Sequence, residues 1–176
     1  GIGAAVQTGY SYARLAGYAI AVQVDADGQH DAQYVPKLIA PILSGDRDVV
    51  IGSRFLPPFL GYRSSWARRI GISFFARLIS VLTGVQVTDP TSGFRACNRM
   101  MIDVFSEDYP SDFPEPEAIV EAKNAHARIS EIAVMMRPRL TGHSSIRYLK
   151  TGYYMIKVTF AILLRSIKRQ NKKGQA

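Results

Sequence analysis

Ala19-Ile20-Ala21-Val22-Gln23-Val24-Asp25-Ala26-Asp27-Gly28-Gln29-His30 sets a run of β-prone residues directly ahead of two carboxylates and a turn-forming glycine. The first six residues read as a buried strand, and Gly28 marks where it gives way. Ahead of it, Ala4 to Ala16 is rich in small and apolar residues and reads as a helix. Beyond it, Tyr34 to Leu43 reads as a helix and Asp48 to Ile51 as a short strand running into Gly52-Ser53-Arg54, with a break at Pro57-Pro58. Arg68 to Leu82 repeats apolar residues at Ile70, Phe74, Leu78 and Leu82, as an amphipathic helix does, and Gly84 stops it. A short helix is expected within Phe94 to Phe105, another over Glu115 to Ala127, and a strand over Ile129 to Met136. Helices alternating with strands imply an α/β fold with an open, mostly parallel sheet flanked by helices.

With 176 residues, 47% hydrophobic and 20% charged, the chain has the core material for about one domain, and disorder is excluded. Its net charge of +8 is unevenly spread. No acidic residue follows Glu131, whereas ten Lys and Arg do; the first 131 residues carry 12 basic against 14 acidic groups. A basic end of this kind attracts phosphate-rich surfaces, either anionic lipid or nucleic acid. The single cysteine, Cys97, excludes an internal disulfide, fits a reducing compartment and reads as a small core residue. Tyr153 to Leu164 is apolar for only twelve residues, interrupted by Lys157, where a membrane span needs about 20. The opening Gly1-Ile2-Gly3 has neither an initiator Met nor a charged leader, and a helix leading into a strand implies at least one strand and helix upstream.

Carboxylates beyond the carboxyl end of a strand sit where ligands reach an open α/β sheet. Asp25 and Asp27, with the Gln29 amide two residues on, can converge on one hard cation, Mg²⁺ or Mn²⁺, whose shell substrate phosphates complete. The competing reading is an Asp-Gly turn whose acids bond the backbone. A calcium loop fails, since His30 stands where its glycine belongs and Pro36 where its terminal Glu belongs. His30, His126 and His143 share no ligand spacing and read as surface or structural residues, and Met135-Met136 as part of a buried strand.

Five segments recur in order: Gly3-Ala4-Ala5 with Gly9, Asp25-Ala26-Asp27-Gly28-Gln29-His30, Gly52-Ser53-Arg54-Phe55, Asp89-Pro90-Thr91-Ser92-Gly93-Phe94-Arg95, and Arg139-Leu140-Thr141-Gly142-His143-Ser144-Ser145. Together they resemble the inverting family 2 glycosyltransferases of GT-A fold, closest to the dolichyl- and polyprenyl-phosphate sugar synthase branch. The resemblance implies a GT-A sheet lacking its first strands, which in that family carry the nucleotide-base pocket and a Pro-x-Tyr-Asn-Glu segment. Residues 1–145 would then be a partial catalytic domain, inactive by itself, and 146–176 a basic amphipathic helix and tail.

The resemblance also implies roles. Asp25, Asp27 and Gln29 would hold Mg²⁺ or Mn²⁺, which acts as a Lewis acid on the departing nucleoside diphosphate. Asp27, Asp89 and Glu117 are the expected catalytic residues, the last two facing the acceptor and able to orient or deprotonate a hydroxyl. Gly3, Asp25, Arg54, Arg95, Arg139 and Ser144 are the expected substrate-binding residues, the arginines through bidentate bonds to phosphate. Arg63, Arg68 and Arg69 flank a loop at the acceptor entrance. The implied donor is a nucleotide sugar and the implied acceptor a polyprenyl phosphate or a related cell-envelope acceptor; a lipid phosphate is already anionic and needs no base. Ser145 replaces the branch's usual Lys after Gly-x-Ser, and His143 a usual acid. No Gln-x-x-Arg-Trp motif of processive synthases is present, and Trp66 sits in Ser65-Trp66-Ala67-Arg68 instead.

Ser145 to Arg169 reads as a long helix whose stripe, Ile146, Leu149, Tyr153, Ile156, Phe160, Leu163 and Leu164, is bordered by Arg147, Lys150, Lys157, Arg165, Lys168 and Lys172. It either packs on the catalytic domain or lies on an anionic membrane, peripherally and on the cytoplasmic face. Two other functions fit parts of the pattern. A nucleotidyltransferase of similar frame would make a sugar nucleotide, but Ser92-Gly93-Phe94-Arg95 suits the transferase. A basic nucleic-acid-binding module would show a zinc pattern, an RNP-like strand or a recognition helix, and none is present, so no nucleic-acid partner is expected. Sugar identity and oligomeric state carry no signature in these residues.

Overall fold

The computed structural model describes residues 1–58, 66–137 and 156–164, apart from the side chains of residues 67 and 68. Helix α1 (Ile2–Leu15) leads into strand β1 (Ile20–Gln23). Gly17, at φ 75°, ends the helix: its N–H bonds the Arg14 carbonyl while the Tyr18 N–H reaches back to Ala13. Only a residue free of Cβ strain takes that left-handed turn cheaply. A 3-10 turn at Ala32–Tyr34 then opens α2 (Val35–Leu43), and β2 (Val49–Ser53) follows. The remaining elements are α3 (Trp66–Thr83), β3 (Arg95–Asn98), α4 (Arg99–Glu107), α5 (Pro114–Asn124), β4 (Ile129–Ala133) and a helix over 156–164. Asn98 caps α4 by accepting from the Met101 N–H at 3.1 Å.

The sheet has the order β1-β3-β2-β4. Strand β3 runs antiparallel to both neighbours and β4 parallel to β2, so β1, β2 and β4 all point one way. This is the expected open, mixed sheet with most strands aligned. Its consequence is functional, because the loops leaving β1, β2 and β4 and the loop entering β3 all gather at one rim. Asp48 secures the opposite end, accepting from the Arg128 N–H, Nε and Nη2 at 2.7, 3.0 and 2.9 Å and from Asn98 Nδ2 at 2.8 Å.

Helices cover both faces of the sheet. On one, Tyr10 of α1 meets Phe105 and Tyr109, and the cluster continues through Ile51, Phe75, Ile79, Met101, Ile102 and Ile119 to Val158 and Ile162. On the other, Leu38 and Ile42 of α2 pack with Val50, Phe94, Ala96 and Val134. Each such side chain removed from water contributes about 1.5–3 kcal/mol. Cys97 is buried in the first cluster, and burial pushes its thiol up to about 12.

Several expectations are corrected. Strand β1 is only half-buried, because among the described residues it pairs on one side alone. Helix α3 forms, but Ile72, Phe75, Ala76 and Ile79 face the core while Ile70, Phe74 and Leu82 are exposed. The helix is apolar nearly all round, so periodicity did not choose its inner face; packing on α5 and the core did. Arg95–Asn98 reads as the approach to a helix, yet it is a strand, stabilised by partners on both sides. The Ile129–Met136 strand stops at Ala133; Met136 returns as a single bridge to His30 and is buried, whereas Met135 is exposed. Of the Ser145–Arg169 helix, residues 156–164 are described; Ile146, Arg147, Leu149, Lys150, Tyr153, Arg165, Lys168 and Lys172 lie outside the described residues.

Candidate active site at the sheet rim

The ladder of β1 ends at the Gln23–Arg95 pair, and the chain turns out of the sheet through Asp25–Asp31. Asp27 Oδ1 accepts the Gln29 N–H at 3.0 Å across Gly28, whose φ of 75° permits the turn. The far side of this loop is tied to the residues after β4. The Arg137 N–H donates to the Gln29 carbonyl at 2.9 Å, Gln29 Nε2 donates to the Arg137 carbonyl at 3.3 Å, and Arg137 Nη2 meets Asp31 Oδ2 at 2.7 Å. The His30 ring lies parallel to Phe94, centroids 4.9 Å apart and 13° between planes. Its Nδ1 accepts the Asp25 N–H at 3.1 Å. Gly93 comes so close that a Cβ there would stand 2.5 Å from Asp25 Oδ1.

The second half of the site is built where β2 ends. Arg54 donates Nε to Asp89 Oδ2 at 2.6 Å and Nη2 to Oδ1 at 2.7 Å, and Nη2 also reaches Thr91 Oγ1 at 2.8 Å. Asp89 is 0% exposed. Below it Glu131 of β4 accepts the Thr88 N–H, the Thr88 hydroxyl and the Asp89 N–H at 2.8, 2.7 and 2.9 Å, while Ser53 and Thr88 share a 2.6 Å bond. These bonds leave the 88–91 turn little freedom, which presents Arg54 as a fixed cation at the rim.

Burial opposes the Arg54 charge, but the bonds and charge of Asp89, with Asp25 adding attraction, raise its pKa above the ordinary value. Burial lowers the His30 pKa against the pull of Asp25, Asp27 and Asp89. Burial likewise raises Glu131, in spite of its three donors. Gly93, against the Asp25 carboxylate, lies in the same loop as Asp89, which brings the Asp25–Asp31 turn and the Arg54–Asp89 pair to one rim.

Of the expected site residues, Asp25, Asp27, Gln29, Arg54 and Asp89 come together here. Arg95 is buried and turned inward, Nε to the Ser92 carbonyl at 2.7 Å and Nη2 to that of Pro90 at 3.2 Å, so it braces the loop entering β3. Gly3 is buried in α1 where a Cβ would press on Pro110 and Ser111. Glu117 is buried in α5 and accepts the Phe113 N–H at 3.2 Å. Neither Gly3 nor Glu117 is joined to the rim cluster by a described bond. Arg139 and Ser144, with Arg63, His143 and Ser145, lie outside the described residues. His30, expected to be a surface or structural residue, has its side chain buried against Phe94, and Glu131 and Arg137 brace the site although neither was an expected site residue. A signal existed for Glu131, the last acid of the chain set within a strand pattern; for Arg137 there was none. A cavity of about 450 Å³ shares Thr88 and Glu131 with the site but none of the Asp25–Asp31 loop.

Among the described residues no three His, Cys, Asp or Glu side chains form a ready-made metal cage. The rim offers two carboxylates, with the Asp25 side chain 46% exposed. That donor set suits Mg²⁺ or Mn²⁺, which take one or two carboxylates and fill their shell with water and phosphate oxygens.

The family model described as glycosyl transferase family 2 matches residues 1–105. The UDP-N-acetylglucosamine--dolichyl-phosphate N-acetylglucosaminyltransferase of Methanococcus voltae is 33% identical over 76% of this chain and 54% of its own length. The polyprenol monophosphomannose synthase of Mycolicibacterium smegmatis is 35% identical over 58% of this chain and 38% of its own. The chain thus spans about half or less of the length of these two relatives. The crystal structure of glucosyl-3-phosphoglycerate synthase from Mycobacterium tuberculosis superimposes with a TM-score of 0.54 at 19% identity, covering 85% of this chain and 49% of that one, a likeness of fold.

Proposed function

This chain belongs to glycosyl transferase family 2, in the branch that resembles the polyprenyl-phosphate sugar synthases, and we propose that it forms part of an enzyme glycosylating a polyprenyl phosphate from a nucleotide sugar. The observation that carries the reading is the approach of the Asp25 carboxylate to Gly93, in the same loop whose Asp89 is held by Arg54, at one rim. A phosphate oxygen of the acceptor attacks the anomeric carbon, the bond to the nucleoside diphosphate breaks on the opposite face, and the configuration inverts. Asp25 and Asp27 would hold a divalent cation, which would supply charge neutralisation for the departing diphosphate. Arg54 offers a cation whose orientation needs no adjustment during the reaction.

The state of Asp89 favours a lipid phosphate over a hydroxyl acceptor. Both its oxygens are committed to Arg54, so it supports a cation instead of receiving a proton. A nucleophile that arrives already ionised asks nothing else of it. The residues that select base and sugar are expected outside these 176 residues, and the chain alone is expected to be inactive.

The same reading has the enzyme peripheral on the cytoplasmic face of a membrane. Among the described residues no helix is long and apolar enough to cross one. Helix α3 exposes Trp66, Ile70, Phe74 and Val81 and has no acidic residue, and the 156–164 helix exposes Ile156, Phe160 and Leu164 beside Lys157. Apolar faces bordered by cations suit an anionic leaflet.

The test is transfer of labelled sugar from a nucleotide sugar to polyprenyl phosphate by the full-length enzyme that carries this chain. Asp27→Asn is expected to abolish transfer with the melting temperature unchanged. Undiminished transfer removes the metal role, and release of pyrophosphate from a nucleoside triphosphate would establish nucleotidyl transfer in its place.

A further inference from the structure

We propose that His30 is a positioning residue for Asp25, holding its main chain by a hydrogen bond from a ring locked in place against Phe94. The proposal rests on the reading of Asp25 and Asp27 as the cation and diphosphate site.

The Asp25 N–H is one that the strand ladder does not serve. Strand pairing stops at Gln23, and two residues later the Asp25 N–H bonds His30 Nδ1 at 3.1 Å. A ring nitrogen that accepts carries no proton, so the neutral imidazole holds its hydrogen on Nε2. Nε2 lies 3.8 Å from Asp25 Oδ2, too far for a hydrogen bond but close enough to attract the carboxylate. One ring therefore addresses both the main chain and the side chain of the same residue.

The ring is not free to swing. Its side chain is 3% exposed, it is stacked on Phe94, and Phe94 is fixed among Leu38, Val50, Ala96 and Val134. The His30 backbone is bridged to Met136. Gly93 leaves room for the carboxylate that any Cβ would take, at 2.5 and 2.7 Å from its two oxygens. Asp25 thus has the imidazole Nε2 3.8 Å from one carboxylate oxygen and the bare Gly93 backbone against both. If His30 served packing alone, an aromatic ring would do as well. What imidazole adds is the acceptor.

Three measurements on the full-length enzyme that carries this chain test this: imidazole ¹⁵N shifts for the tautomer, Mn²⁺ titration followed by electron paramagnetic resonance, and thermal melting. The Nε2–H tautomer is expected. His30→Phe keeps the stacked ring and removes the acceptor; it should melt near the wild type yet bind Mn²⁺ about tenfold or more weakly, the usual cost of losing a partner that orients a ligand. His30→Asn keeps an acceptor at the Nδ1 position and removes the ring; it should melt lower yet recover most of the affinity. The Nδ1–H tautomer, or His30→Phe binding Mn²⁺ like the wild type, overturns the proposal alone. Should His30→Phe not fold, His30→Asn decides: retained affinity supports the proposal, and a tenfold loss overturns it. Wild-type protein that takes up no Mn²⁺ at millimolar concentration overturns the metal reading and the proposal together.

Discussion

Arg54 grips Asp89 through two parallel hydrogen bonds, Nε to Oδ2 and Nη2 to Oδ1, and the Arg54 main-chain N–H adds a third contact to Oδ2 at 3.1 Å. The end of β2 and the loop entering β3 are thereby one rigid unit. A fork-to-fork pair of this geometry fixes direction as well as distance, which a lysine does not reproduce.

Asp89→Asn should therefore be a stability variant first. Removing one partner of a buried ion pair leaves the other uncompensated and costs about 3–5 kcal/mol. Urea denaturation checks this. A general base would behave differently, losing turnover with its unfolding midpoint unchanged.

Gly93→Ala is expected to act on the carboxylate and not on the fold. The atoms that a new Cβ meets are the two oxygens of Asp25, the movable end of a side chain, so the carboxylate is pushed aside while the backbone stays. Mn²⁺ affinity should fall by about tenfold or more, with little change in melting temperature. Calorimetric titration beside a thermal melt separates the two.

The two sides of the 156–164 helix should answer oppositely to mutation. Ile162 is fully buried with Val158, and Ile162→Ala should cost about 2–5 kcal/mol. Phe160 is 63% exposed, and Phe160→Ser should change stability by no more than about 0.5 kcal/mol. Phe160→Ser should nonetheless weaken co-sedimentation with anionic vesicles, and unaltered sedimentation would count against the membrane surface.

Acid should unfold the protein in part through Asp48. Its bonds from the Arg128 side chain, opposed by burial, hold it below the ordinary 3.8. The folded state therefore gives up this proton more readily than the unfolded state. The stabilisation is complete above about pH 4 and is lost as pH falls through the lowered pKa. Asp31, held down chiefly by the Gln33 N–H with Arg137 contributing, has the same sign. Glu131, raised above 4.5 by burial, has the opposite one: its contribution declines as pH rises from 4.5 to its raised value. Melting temperatures between about pH 7 and about pH 3 should show an acid limb that Asp48→Asn flattens.

Local chemistry along the chain was enough to mark α1, β1, α2 and β2, because each is punctuated by residues that act on their own neighbours, such as Gly17 and Gly28. It was also enough to bring out Asp25 and Asp27, since a carboxylate pair after a β-rich run needs no distant partner to be recognised. Which face of α3 turns inward, and that Arg95–Asn98 is a strand, were decided by packing, because α3 is apolar on several sides and β3 exists only between β1 and β2. The fates of the other charged and polar side chains were decided in the same way. Arg54 and Arg95 look equivalent in the chain, yet one meets Asp89 from 35 residues away while the other turns in to the carbonyls of its own loop. His30 gains its bond to Asp25 from its neighbours in sequence, but its fixed orientation comes from Phe94, which only the folded sheet brings beneath it.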